Sequence, residues 1–90
     1  MINQKFRKCT EIEFEISNNF ASNIFALMHN RKINRHDLCD ALNINYNSFN
    51  RIMISQQRVP VSLLLKCCEY FDVTIDQLIS RDRIYTTELL

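Results

Sequence analysis

Ninety residues, 47% of them hydrophobic, make one domain with a modest core rather than two. No run of about 18 apolar residues occurs, which excludes a membrane-spanning helix, and residues 1–17 lack the apolar centre of a signal peptide, so the expected location is the cytoplasm. The formal net charge of +1 neither demands nor excludes a polyanionic partner, but residues 17–59 carry five Lys/Arg against Asp37 and Asp40, whereas residues 60–90 carry three against five Asp/Glu.

Residues 11–16 alternate Glu-Ile-Glu-Phe-Glu-Ile, which would set Ile12, Phe14 and Ile16 on one face of a strand or extended arm. A long helix with Ile12, Ile16, Phe20 and Ile24 at i, i+4 spacing competes with this reading. Ser17, Asn18 and Asn19 favour the strand, because three cap-type residues in a row read as a helix start. The first helix is then expected over residues 19–30, burying Phe20, Ile24, Leu27 and Met28. A second helix opens with Asn34 as N-cap and Asp37 in its first turn, where a carboxylate suits the helix dipole. It buries Leu38, Ala41 and Leu42 and stops at Asn43, the next-best residue after glycine for a left-handed turn.

The third helix is the best-marked element. Asn45 is its N-cap, and Ile44 before the cap with Phe49 four residues after it has the spacing of a hydrophobic staple. Phe49 and Ile52 point inward, which leaves Tyr46, Asn47, Asn50 and Arg51 together on the outer face. Residues 54–59 read as a loop. A fourth helix begins near Pro60 with Leu64, Leu65, Cys68 and Phe71 inward, and Thr74 caps a short fifth helix that buries Ile75, Leu78 and Ile79. The expected organisation is an arm over residues 1–16, a helical domain over 17–80 and a tail over 81–90, with β-formers at 84–87 that make a short strand or a frayed end.

The four cysteines, Cys9, Cys39, Cys67 and Cys68, form no C-x-x-C pair and read as reduced thiols acting as small apolar side chains. His36 and Cys39 are three apart, but nothing completes a metal-ligand set, so no metal and no cofactor are expected. His29 and His36 read as surface groups. No nucleophile–base spacing and no glycine loop points to an enzyme.

Two short helices joined by about three residues, the second with a polar outer face, describe a helix-turn-helix. Residues 33–52, with Leu38, Leu42, Ile44, Phe49 and Ile52 in register, and the closing segment 64–79 together resemble the phage-repressor and Cro type of helix-turn-helix domain, the XRE family. The resemblance implies an all-α fold, a five-helix lambda-repressor-like domain, preceded here by the N-terminal arm. It implies a sequence-specific transcriptional regulator, a repressor by preference, that binds double-stranded DNA with its third helix in the major groove.

Tyr46, Asn47, Asn50 and Arg51 are then the base-reading candidates, since an asparagine amide matches adenine and a guanidinium matches guanine. Asn34, Arg35, Asn45, Ser48, Gln56, Gln57 and Arg58 are the phosphate-contacting candidates, helped by the N–H groups at the start of the second helix. The sequence departs from the family pattern at Arg35 (commonly glutamine), Cys39 (alanine), and Asn43, Ser55 and Asp72 (glycines), and Pro60 sits one residue late.

Such domains meet DNA half-sites as dimers, so a homodimer is expected, with Ile12, Phe14 and Ile16 packing across it and covering an otherwise unpaired strand edge. A second reading uses the same fold as a protein-interaction module, an antitoxin or anti-repressor that captures a protein partner. Salt-dependent binding to duplex DNA separates the two.

Overall fold

A computed structural model describes residues 9–81, with side chains from residue 11 onward. Its five helices are α1 (Cys9–Arg31), α2 (Arg35–Leu42), α3 (Tyr46–Met53), α4 (Val61–Phe71) and α5 (Ile75–Ile79), with no strand among the described residues. The all-helical expectation and the order of the helices hold. The remainder of the arm, residues 1–8, and the expected short strand or frayed end at 84–87 lie outside the described residues.

The strand over residues 11–16 is corrected: this stretch is the first part of α1, which runs unbroken through the expected boundary at residue 17. The i, i+4 series prevails because it continues into the core. Ile12 and Ile16 are half-buried in line with Phe20 and Ile24, both fully buried, while Phe14 turns outward and is 58% exposed. Ile12, Phe14 and Ile16 therefore do not share a face.

Ser17, Asn18 and Asn19 are not a cap either. Ser17 is buried, and Asn19 joins Asn23 one turn on in holding α5. Asn19 Nδ2 donates to the carbonyl of Ile79 at 3.1 Å. Asn23, fully buried, presents Nδ2 to the carbonyls of Leu78 (2.6 Å), Ser80 (3.0 Å) and Gln77 (3.1 Å). The last carbonyls of any helix lack partners within it, and here two side-chain amides supply donors to those of α5.

The core joins Phe20, Ile24, Leu27 and Met28 of α1 to Leu38, Cys39 and Leu42 of α2, Phe49, Ile52 and Met53 of α3, Leu63, Cys67 and Phe71 of α4, and Leu78 of α5. Inward assignments change in three helices. In α4 the buried positions are Leu63 and Cys67 with Phe71, whereas Leu64 and Cys68 are half-buried and Leu65 is exposed, a phase one residue earlier than expected. Pro60 is the N-cap, not the first helical residue. In α2 it is Cys39 that is buried and Ala41 that is exposed, and in α5 Ile75 stays exposed and Ile79 is half-buried.

Cys39, Cys67 and Cys68 are free thiols, Cys67 and Cys39 in the core. Burial, and then the neighbouring Cys68, pushes the Cys67 thiol up from its ordinary 9.0 to about 12. Burial, then the charge of Asp40, raises Cys39 against the opposing pull of Arg35, and burial raises Cys68.

The corners that orient the helices are built without glycine. Lys32 (φ 57°), Asn43 (φ 56°), Ser55 (φ 63°) and Asp72 (φ 57°) all adopt the left-handed conformation. The last three are the positions at which the resemblance called for glycine. A side chain in this region costs roughly 1–2 kcal/mol, less for Asn and Asp, whose short polar groups bond locally. The caps are the expected ones. Asn34 accepts from the N–H of Asp37 at 2.7 Å and Asn45 from that of Ser48 at 3.0 Å. Thr74 forms a full capping box with Gln77.

Candidate nucleic-acid interface

The α2–turn–α3 unit is held from inside by Leu38, Leu42, Phe49 and Ile52, all buried, so the polar side of α3 faces away from the core. Two cations elsewhere are engaged in tying helices together. Arg31 donates to the carbonyl of Phe71 at 2.9 Å and lies 5.3 Å from that ring's centroid, and Lys66 donates to the carbonyl of Leu42 at 3.0 Å. Arg35 on α2, Arg51 on α3 and Arg58 in the following loop remain beside the candidate face.

Each expected base-reading residue has a definite setting. Asn47 is exposed. Arg51 is exposed and is steadied by Gln57 Oε1, 3.0 Å from its Nε, and by Ser48 Oγ, 3.4 Å from Nη2. Asn50 is half-buried, and its Oδ1 accepts from Arg35 Nη1 at 2.7 Å. The Tyr46 ring stacks on His36 of α2, centroids 3.9 Å apart and planes within 4°, which fixes the tyrosine to the preceding helix.

The expected phosphate-contacting residues divide in the same way. Asn34 and Asn45 use their oxygens as caps. Arg35 is half-buried, bonded to Asn50 and placed 5.5 Å from the centroid of Phe25, an α1 ring that is 59% exposed. Ser48 and Gln57 align Arg51, while Gln56 is exposed. Arg58 pairs with Glu13 of α1, Nε to Oε1 at 3.4 Å, with both side chains well exposed.

Sequence reasoning did not find Phe25, His36 as a stacking partner, or the Glu13 and Asn18 side of the loop, where Ser55 Oγ donates to Asn18 Oδ1 at 2.6 Å. The signal for Phe25 was present as an aromatic off the buried phase of α1, next to Ile24. Glu13 was hidden by the strand reading.

Residues 23–83 match the family described as the Cro/C1-type HTH DNA-binding domain. The chain belongs to this family. No curated protein and no solved structure matches it. The Cro/C1-type domain accounts for α2 to α5 and residues 23–31 of α1. Residues 9–22 of α1, with Glu13 and Phe14, precede the matched span, so the pairing of Glu13 with Arg58 joins this chain's own extension to the Cro/C1-type domain. Among the described residues, no helix is long and apolar enough to cross a membrane.

Proposed function

We propose that the protein is a sequence-specific transcriptional regulator, a repressor, that acts in the cytoplasm on double-stranded DNA and reads the major groove with α3. The observation that carries this reading is the α3 outer face. Asn47 and Arg51 stand exposed at i, i+4, the guanidinium of Arg51 is pre-aligned by Gln57 and Ser48, and the opposite side is anchored by fully buried Phe49. A rigid helix carrying an amide and a guanidinium matches the bidentate pairs with adenine and guanine. Arg35 and Arg58, with the N-terminus of α2, supply phosphate contacts.

The homodimer belongs to the same proposal, because half-sites repeat about one helical turn apart and a single small module binds weakly. It cannot use a strand at residues 11–16, which are helical.

Selection of bound duplexes from a random pool tests the reading, with a palindromic motif expected. Asn47→Ala and Arg51→Ala should each weaken that motif by about 1–3 kcal/mol, and Asn47→Ala should leave random DNA almost unaffected. Recovery of no motif, or normal binding by both variants, refutes it. A second reading, capture of a protein partner, is favoured by one feature: Ile54, Val61 and Leu65 are exposed by 60%, 67% and 54%. Binding that does not depend on salt would support it.

A further inference from the structure

The two asparagines on the outer face of α3 are chemically unequal. Asn47 has no hydrogen-bond partner for its side chain among the described residues, so its amide offers both an acceptor and a donor. Asn50 is committed at one end. Arg35 Nη1 lies 2.7 Å from its Oδ1, and a guanidinium has only donors, so the oxygen of this amide faces Arg35 and the nitrogen faces away. Nδ2 has no partner among the described residues.

Arg35 is itself held from two sides, by Asn50 and by the ring of Phe25 at 5.5 Å, and both Arg35 and Asn50 are half-buried, which limits their freedom to rearrange. A full positive charge beside Oδ1 makes this a poor place for another donor. The exocyclic amino group of adenine, N6, would bring one there. The guanine edge, with acceptors at both O6 and N7, meets donors only.

We infer that Arg35 sets Asn50 as a donor-only reader that selects guanine over adenine, while Asn47 keeps the ordinary pairing with adenine. This rests on the proposed reading of duplex DNA by α3 and names the base chemistry of one of its positions. Arg35 acts here as a positioning residue, through Asn50.

The test is selection from a random duplex pool by the full chain and three variants. Asn50→Ala locates the position, as the base pair whose preference disappears. Wild type should hold guanine there, and Arg35→Ala should move the preference to adenine, each shift worth roughly 5- to 100-fold in affinity between the two bases. Asn50→Asp keeps an oxygen for Arg35 but removes the donor, so it should lose the guanine preference even if Arg35→Ala proves too unstable to assay. Adenine at that position in wild type overturns the inference while leaving the proposed function standing. So does a preference untouched by Arg35→Ala in a folded protein, or a motif unchanged by Asn50→Ala. A wild-type pool with no enriched motif removes the proposed function and this inference together.

Discussion

Replacing Asn23 with alanine should unfasten α5. The side chain is fully buried and its two amide hydrogens serve three carbonyls of the α5 terminus, at 2.6–3.1 Å. Two lost hydrogen bonds are worth about 0.5–1.5 kcal/mol each, and a buried carbonyl left without a donor adds about 1–3 kcal/mol, so the expected loss is about 2–6 kcal/mol. For a domain of this size that corresponds to a fall in Tm of roughly 10–50 °C. Urea unfolding followed by circular dichroism measures it, with an unchanged slope confirming that native stability has moved. Asn19→Ala removes one part-buried bond and should cost only ~0.5–1.5 kcal/mol. Asn23→Leu separates the polar contribution from volume, since it fills the space without donors and should still be destabilised. If Asn23→Leu is as stable as wild type, packing and not the amide holds α5, and the reasoning fails.

Cys67 makes stability fall in alkali. Its thiol titrates near 9.0 when unfolded and at about 12 when folded, so its contribution is complete below pH 9 and is lost between these values. The slope is about 1.4 kcal/mol per pH unit, and Cys67→Ser or Cys67→Ala unfolding curves at pH 8 and 10 should lack it. Lys32→Gly should stabilise the fold by up to ~1 kcal/mol, because it relieves a left-handed lysine at φ 57° against glycine's own entropic penalty; a lower Tm would mean that the lysine is not strained. Arg58→Ala should change stability by less than ~1 kcal/mol, as expected for an exposed pair. If Arg58 exchanges Glu13 for a phosphate, the same variant should flatten the salt dependence of duplex binding by about one unit. Glu13→Gln should then strengthen binding to duplexes of every sequence, and unchanged affinity would show that Glu13 does not compete.

The parts of the fold that were legible from sequence are those fixed by local chemistry. Asn34, Asn45 and Thr74 cap the helices they were expected to cap, because each accepts from the N–H three residues on and needs no distant partner. Asn43 turns left-handed for a similarly local reason. What was not legible depends on contacts far along the chain. Asn19 looked like a cap because its carbonyl partner is 60 residues away. The phase of α4 was ambiguous because leucine or cysteine occupies 63, 64, 65, 67 and 68, so apolar periodicity cannot say which pair goes inward. At the candidate interface the sequence identified the polar face of α3, but not that Arg35 would orient Asn50 or that His36 would hold Tyr46, since both pairings follow from the angle between α2 and α3.

The continuity of α1 turns the acidic and apolar alternation of residues 11–16 into a register code. A helix advances by about 100° per residue, so whatever stands at position 13 relative to the core faces the Arg58 loop. Inserting one residue between 14 and 17 would bring Phe14 to that place, and deleting one there would bring Ile12. Either single slip sets an apolar group beside a guanidinium. Inserting two residues after Glu15, or deleting two, would present Glu15 or Glu11 instead and give Arg58 a carboxylate again. The pattern that imitates a strand in the sequence therefore acts, in the helix, as a register marker for the first turns of α1. A change of two residues preserves the charge that meets Arg58, and a change of one removes it.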